Sequence, residues 1–124
     1  MKANNAINAY KQTSIKTASQ GKLIIMLYDG AIRNIDSAIE LLEQKTRQLD
    51  KVHNAIIKAQ DIVTELAASL DMEKGGELAS NLLSLYLFFD EQLTDANVRK
   101  DIEPLRKVRD MLASLRGAWA QVIK

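Results

Sequence analysis

The chain has 124 residues, 47% of them hydrophobic and 27% charged, with a net charge of +1. That length suits one domain with a core of its own, and the near-neutral charge gives no overall pull toward nucleic acid. There is no cysteine, which excludes disulfides and thiolate metal sites and is compatible with a reducing compartment.

The charge is placed unevenly. Residues 1–28 hold Lys2, Lys11, Lys16 and Lys22 and no acid, residues 29–100 hold thirteen acids and eight bases, and residues 101–124 hold five bases and three acids. Residues 1–16 read as an N-terminal arm with few apolar anchors beyond Ile7, Tyr10 and Ile15. Such a basic arm either lies back on the acidic body or stays solvated, and its deletion is expected to leave most of the stability. No apolar run reaches the roughly 18 residues of a membrane span. The start of the chain lacks the apolar stretch of a signal peptide and, with no Arg before Arg33, the pattern of a transit peptide. These features point to the cytoplasm, without membrane insertion.

Strand signals are absent and the apolar spacing is helical almost throughout. A first helix is predicted over residues 19–44, capped by Thr17 or Ser19, with Leu23, Leu27, Ala31, Ile35, Ala38 and Leu42 on its core face. Ile25, Ile32 and Ile39 recur every seven residues nearly opposite Leu23. A second helix over residues 50–70 carries Val52, Ile56, Ala59, Val63, Leu66 and Leu70 in steps of four and three, a core stripe. Gly75-Gly76 marks a turn. A third helix over residues 77–97 has Leu78, Leu82, Leu85, Phe89, Leu93 and Ala96 as its stripe, with Ala79, Leu83 and Leu87 off it. A fourth over residues 101–122 buries Leu105, Val108, Leu112, Leu115, Trp119 and Val122, starts at an Asp101 or Glu103 cap, and carries Pro104 in its first turn, where a missing N–H is harmless. Four helices of about 20 residues with short connections predict an all-α, antiparallel four-helix bundle with an N-terminal arm.

Catalytic signals are weak. His53 is the only imidazole and reads as a surface histidine. Asp50 and His53 are three apart, but the inward Glu residues that a paired-iron bundle needs are missing, so no metal or cofactor is expected. Gly75-Gly76 lacks the Lys-Ser/Thr of a phosphate loop. Arg99, Lys100, Arg106, Lys107 and Arg109 are interleaved with acids and lack aromatic neighbours, so they read as a solvated face rather than a nucleic-acid site.

The surplus of apolar side chains is the stronger signal. In Leu82-Leu83-Ser84-Leu85-Tyr86-Leu87-Phe88-Phe89, seven of eight residues are apolar or aromatic, whereas a bundle helix turns only part of its surface inward. With Ile25, Ile32, Ile39 and Ile57, these residues would leave a patch that calls for a cover: the arm, a second copy or a partner segment.

Ala9-Tyr10, a spacer, Thr17-Ala18-Ser19-Gln20-Gly21-Lys22-Leu23 and then Met26-Leu27-Tyr28-Asp29-Gly30 follow one another. Further on come Lys58-Ala59-Gln60-Asp61-Ile62-Val63-Thr64-Glu65-Leu66, Ser69-Leu70-Asp71, Gly75-Gly76-Glu77-Leu78-Ala79, Asn81-Leu82, Leu85-Tyr86, Leu93, Ala96-Asn97 and Trp119. In this order and length the chain resembles the flagellar secretion chaperones of the FliS family. Gln20 stands where that family usually has Pro, and Leu87-Phe88 where it often has Asp and Tyr.

The resemblance implies a bacterial cytosolic chaperone without enzyme activity. It would bind the disordered C-terminal segment of flagellin, prevent premature polymerisation and help present it to a component of the export gate, with other flagellar assembly factors as further partners. In the family the flagellin tail wraps round the bundle, and the chaperone's own arm can occupy one of its grooves. The positions assigned to the partner or arm surface are Tyr10, Ile25, Tyr28, Ile57, Leu83, Tyr86 and Leu87. The alternative is a structural bundle that uses its surplus apolar face to form a homodimer without a flagellin ligand.

Overall fold

The computed structural model describes residues 20–122. The arm, Tyr10 and the Thr17 and Ser19 caps lie outside the described residues.

Helix α1 spans Gln20–Glu43. It ends where Lys45 turns left-handed (φ 54). The Lys45 N–H then bonds the Leu42 carbonyl at 3.0 Å and the Thr46 N–H the Leu41 carbonyl at 3.1 Å, which satisfies carbonyls the helix would orphan. Helix α2 spans Leu49–Ala68 and buries Val52, Ala55, Ile56, Ala59, Val63 and Leu66. Its last turn is closed by Ser69, whose N–H reaches Glu65 O and whose hydroxyl donates to Leu66 O at 2.7 Å.

Helix α3 spans Met72–Arg99, five residues earlier than the apolar spacing predicts. Asp71 Oδ1 accepts from the Lys74 N–H at 3.0 Å and caps a single turn. Gly76 (φ 53, ψ −130) then breaks the helix before it continues to Arg99, a backbone conformation that side-chain-bearing residues avoid. Gly75 has its own constraint, since a Cβ there would meet Ala79 Cβ at 2.6 Å. Lys100 is left-handed (φ 51), and Asp101 N–H closes the end on Ala96 O at 3.1 Å. Helix α4 spans Ile102–Val122. Asp101 is its cap, with Oδ1 accepting from the Glu103 N–H at 3.1 Å.

Helix α1 packs on α2 and α4, and α3 packs on the same two, so the helices form a square with α1 and α3 on one diagonal. Cross-helix pairs show the directions. Asp29 near the start of α1 meets Arg116 near the end of α4, and Glu43 meets Arg106. His53 meets Asn97 and Gln60 meets Asp90 between α2 and α3. The all-α four-helix bundle is therefore present, with antiparallel neighbours.

Several positions differ from the sequence reading. Leu78 is 67% exposed and Leu85 half-buried, whereas Ala79 and Tyr86 are buried. The stripe on α3 is Ala79, Leu82, Tyr86, Phe89, Leu93 and Ala96, in steps of three and four. The Gly76 break turns Leu78 out of that register, and Tyr86 displaces Leu85 because a partner hydroxyl waits inside. Val122 is exposed at the end of α4. Ile39 is buried and Ile32 packs against the core. In a square bundle α1 has two neighbours, so its buried arc is wider than a single stripe.

Candidate docking surface

The interior of the bundle carries one polar contact across its diagonal. Tyr28 on α1 and Tyr86 on α3 are both buried, and their hydroxyls lie 2.6 Å apart. Both groups sit above the ordinary phenol range because burial disfavours the phenolate; for Tyr28 this is offset in part by the Tyr86 and Trp119 side chains. Tyr28 and Tyr86, assigned by the resemblance to the partner or arm surface, are thus buried, with Tyr86 lining the cleft described next. A tyrosine can be buried when its hydroxyl finds a partner, and here each supplies the other's.

Tyr86 forms the floor of an apolar cleft of about 250 Å³ at the end of the bundle where α1 and α3 begin and α2 and α4 end. Ile24, Leu70, Leu78, Leu82 and Trp119 line it, with Gln20 and Asp71 at its edge. Spacing alone places Leu78 and Trp119 in the core and gives no role to Ile24. The break at Gly75-Gly76 is the sequence signal that could have placed Leu78 at this rim.

Two of the four seams of the bundle differ in character. Along α1 and α4, Asp29, Asp36 and Glu43 recur every seven residues and meet Arg116 at 2.8 Å, Arg109 at 2.9 Å and Arg106 at 2.6 Å. The Arg109 contact is an ion pair too bent for a hydrogen bond. Arg106 and Arg109 stay on a solvated face, as expected of the basic cluster, and there join this ladder. Arg99 pairs with Asp95, and Lys107 lies 5.4 Å above the Phe88 ring.

The opposite seam, between α2 and α3, is stapled by Gln60, whose amide nitrogen donates to Asp90 Oδ1 at 3.0 Å and Thr94 Oγ1 at 2.9 Å. Leu87 is 58% exposed beside it, Ile57 38% and Val98 79%. Leu83 and Ile25 are half-buried. Of the seven assigned positions, the structure brings Ile57, Leu83 and Leu87 to the α2 and α3 side, buries Tyr28 and Tyr86 beneath the cleft, and leaves Ile25 on α1; Tyr10 is outside the described residues. His53 is exposed and bonds Asn97. Among the described residues no three His, Asp or Glu side chains gather into a metal site, and no helix is long and apolar enough to cross a membrane.

Comparison with known proteins agrees with this architecture. A sequence profile of the family described as flagellar protein FliS matches residues 3–124. The flagellar secretion chaperone FliS of Salmonella typhimurium strain LT2 is 37% identical over 123 residues, spanning 95% of this chain and 90% of the relative. The protein of the same name from Bacillus subtilis strain 168 is 32% identical over 124 residues, covering the whole chain and 90% of the relative. That of Campylobacter jejuni is 32% identical over 122 residues, at 98% and 94% coverage. With a match along almost its entire length and helices that fold into the square bundle above, the chain belongs to the FliS family.

Proposed function

We propose that this protein is a bacterial cytosolic export chaperone for flagellin. It binds the disordered C-terminal segment of flagellin, keeps it from polymerising before export and helps deliver it to the export gate. The observation that carries this reading is the apolar cleft with Leu78 at its rim. An amphipathic helix laid along such a surface buries apolar side chains that neither molecule can bury alone. The membership in a family whose relatives are named flagellar secretion chaperones supports it.

The mechanism is binding coupled to folding. The segment is disordered when free and becomes helical on the bundle, so part of the contact energy is spent on ordering it. Ile57, Leu83 and Leu87 on the α2 and α3 side extend the contact, and Tyr86 and Tyr28 shape the cleft floor from within. Tyr10 and the arm cover the cleft in the unliganded chaperone, and Ile25 belongs to the same end of α1. The protein acts by binding, without a catalytic step.

Calorimetric titration with a synthetic flagellin C-terminal segment tests the reading. Leu78→Ser with Leu87→Ser removes two exposed side chains, so thermal stability should change by no more than about 0.5 kcal/mol per site. Binding should weaken about tenfold or more, because each lost apolar anchor contributes on the order of 1 kcal/mol. Unchanged binding by the folded double variant would move the contact away from this surface. A dimer that ignores the segment would favour self-association instead.

A further inference from the structure

At the end of the bundle away from the apolar cleft, α2 and α3 leave a groove that includes His53, Ile57, Asn97, Val98 and Lys100. Its polar groups are ordered by a relay. A lysine ammonium only donates, and Lys100 Nζ donates to both oxygens of Asn97, O and Oδ1. The Asn97 amide nitrogen is thereby turned the other way, 2.9 Å from His53 Nδ1. That nitrogen only donates, so Nδ1 accepts and the neutral imidazole carries its proton on Nε2. Among the described residues no acceptor meets Nε2.

Lys100 is also in the left-handed region, with φ 51 and ψ 47, where glycine is the residue without steric cost. It is half-buried, and among the described residues its partners are uncharged oxygens. Arg99, Arg106, Arg109 and Arg116, by contrast, each face a carboxylate. No acid lines the groove, although residues 29–100 hold thirteen acids against eight bases. A preset cation and a preset donor thus stand beside two exposed apolar side chains, Ile57 and Val98.

We propose that this groove takes one helical turn of the bound segment in which an Asp or Glu side chain neighbours an apolar one. The carboxylate bonds Lys100 Nζ, and the apolar side chain lies on Ile57 and Val98. This rests on the reading that the segment is the flagellin C-terminus, and adds to it a recognition point of defined charge at the end opposite the cleft. Charge-assisted hydrogen bonds of this kind are about twice as strong as neutral ones.

The test is calorimetric titration of the full chain with three synthetic flagellin C-terminal segments: unmodified, with its Asp and Glu replaced by Asn and Gln, and with only its chain-terminal carboxylate amidated. Lys100→Gly removes the ammonium and suits the left-handed backbone, so its melting temperature should equal or exceed that of the wild type. It should bind the unmodified segment about tenfold more weakly. The Asn/Gln segment should lose the same factor on the wild type and no more on the variant, because the two changes remove one interaction. Terminal amidation should change nothing. Lys100→Asn, which also tolerates this backbone, repeats the measurement if the glycine variant folds poorly. Wild-type affinity in Lys100→Gly, or independent losses from the two changes, would overturn the proposal. A loss caused by amidation alone would overturn the side-chain source of the carboxylate. Failure of the wild type to bind any segment would remove the flagellin reading itself, and this inference with it.

Discussion

The Tyr28 and Tyr86 hydroxyls, 2.6 Å apart in the interior, form a mutual pair that neither residue could sustain alone. Tyr28→Phe leaves the buried Tyr86 hydroxyl without its partner and should cost about 1–3 kcal/mol, Tyr86→Phe should cost less because Tyr28 keeps the Trp119 side chain, and the double change should cost less than the sum. Burial raises both phenols above the ordinary value of 10.0. The folded chain therefore keeps protons that the unfolded chain sheds near that pH. The resulting stability is complete below about pH 10 and is lost as the pH rises above it. Urea melts at pH 8 and at pH above 10 should show a steeper alkaline loss for the wild type than for the double phenylalanine variant. Neither tyrosine's burial was legible from spacing, because a tyrosine on a helix face suits a partner surface as well as a core, and only the residue across the diagonal decides.

At the scale of the element, α3 is defined by its break. Gly76 adopts φ 53 and ψ −130, so Gly76→Ala should cost about 1–3 kcal/mol with little change in far-UV helical signal, since the bulk of α3 lies beyond it. Retained stability in Gly76→Ala would mean that the helix runs straight there. The glycine pair was readable as an interruption. What it did to Leu78 was not, because a kink changes which side chains face inward without changing their composition. The start of α4 was more legible: Asp101 stands before it and accepts from a first-turn N–H group, whereas the Asp71 cap of the turn before Gly76 lies outside the apolar periodicity.

For the whole molecule, the core stripes of α2 and α4 form the least ambiguous part. Leu66 and Leu112 are both buried, so either change to Ala should cost about 2–5 kcal/mol in denaturant unfolding, and a neutral result would mean a wrong register. The molecule is two-sided. One seam is closed by the Asp29, Asp36 and Glu43 ladder to α4 arginines, whose exposed pairs contribute little each. The other, between α2 and α3, keeps Ile57, Leu87 and Val98 open to solvent. The surplus of apolar residues was visible in the sequence; its distribution depended on neighbours. Ile32 and Ile39 lie on the part of α1 turned to its neighbours, whereas Leu87 and Val98 lie on the part of α3 turned to solvent.

The sequence by itself determined the class of fold, the number of helices, most of their bounds and the presence of more apolar side chain than one bundle buries. These follow from periodicity and punctuation, which are local properties of the chain. Only the tertiary structure decided which of the surplus side chains stay outside, that two tyrosines meet across the diagonal, and that three acids seven apart face three arginines. Each of those depends on how helices far apart in sequence are rotated and stacked against one another, and no local pattern encodes that rotation.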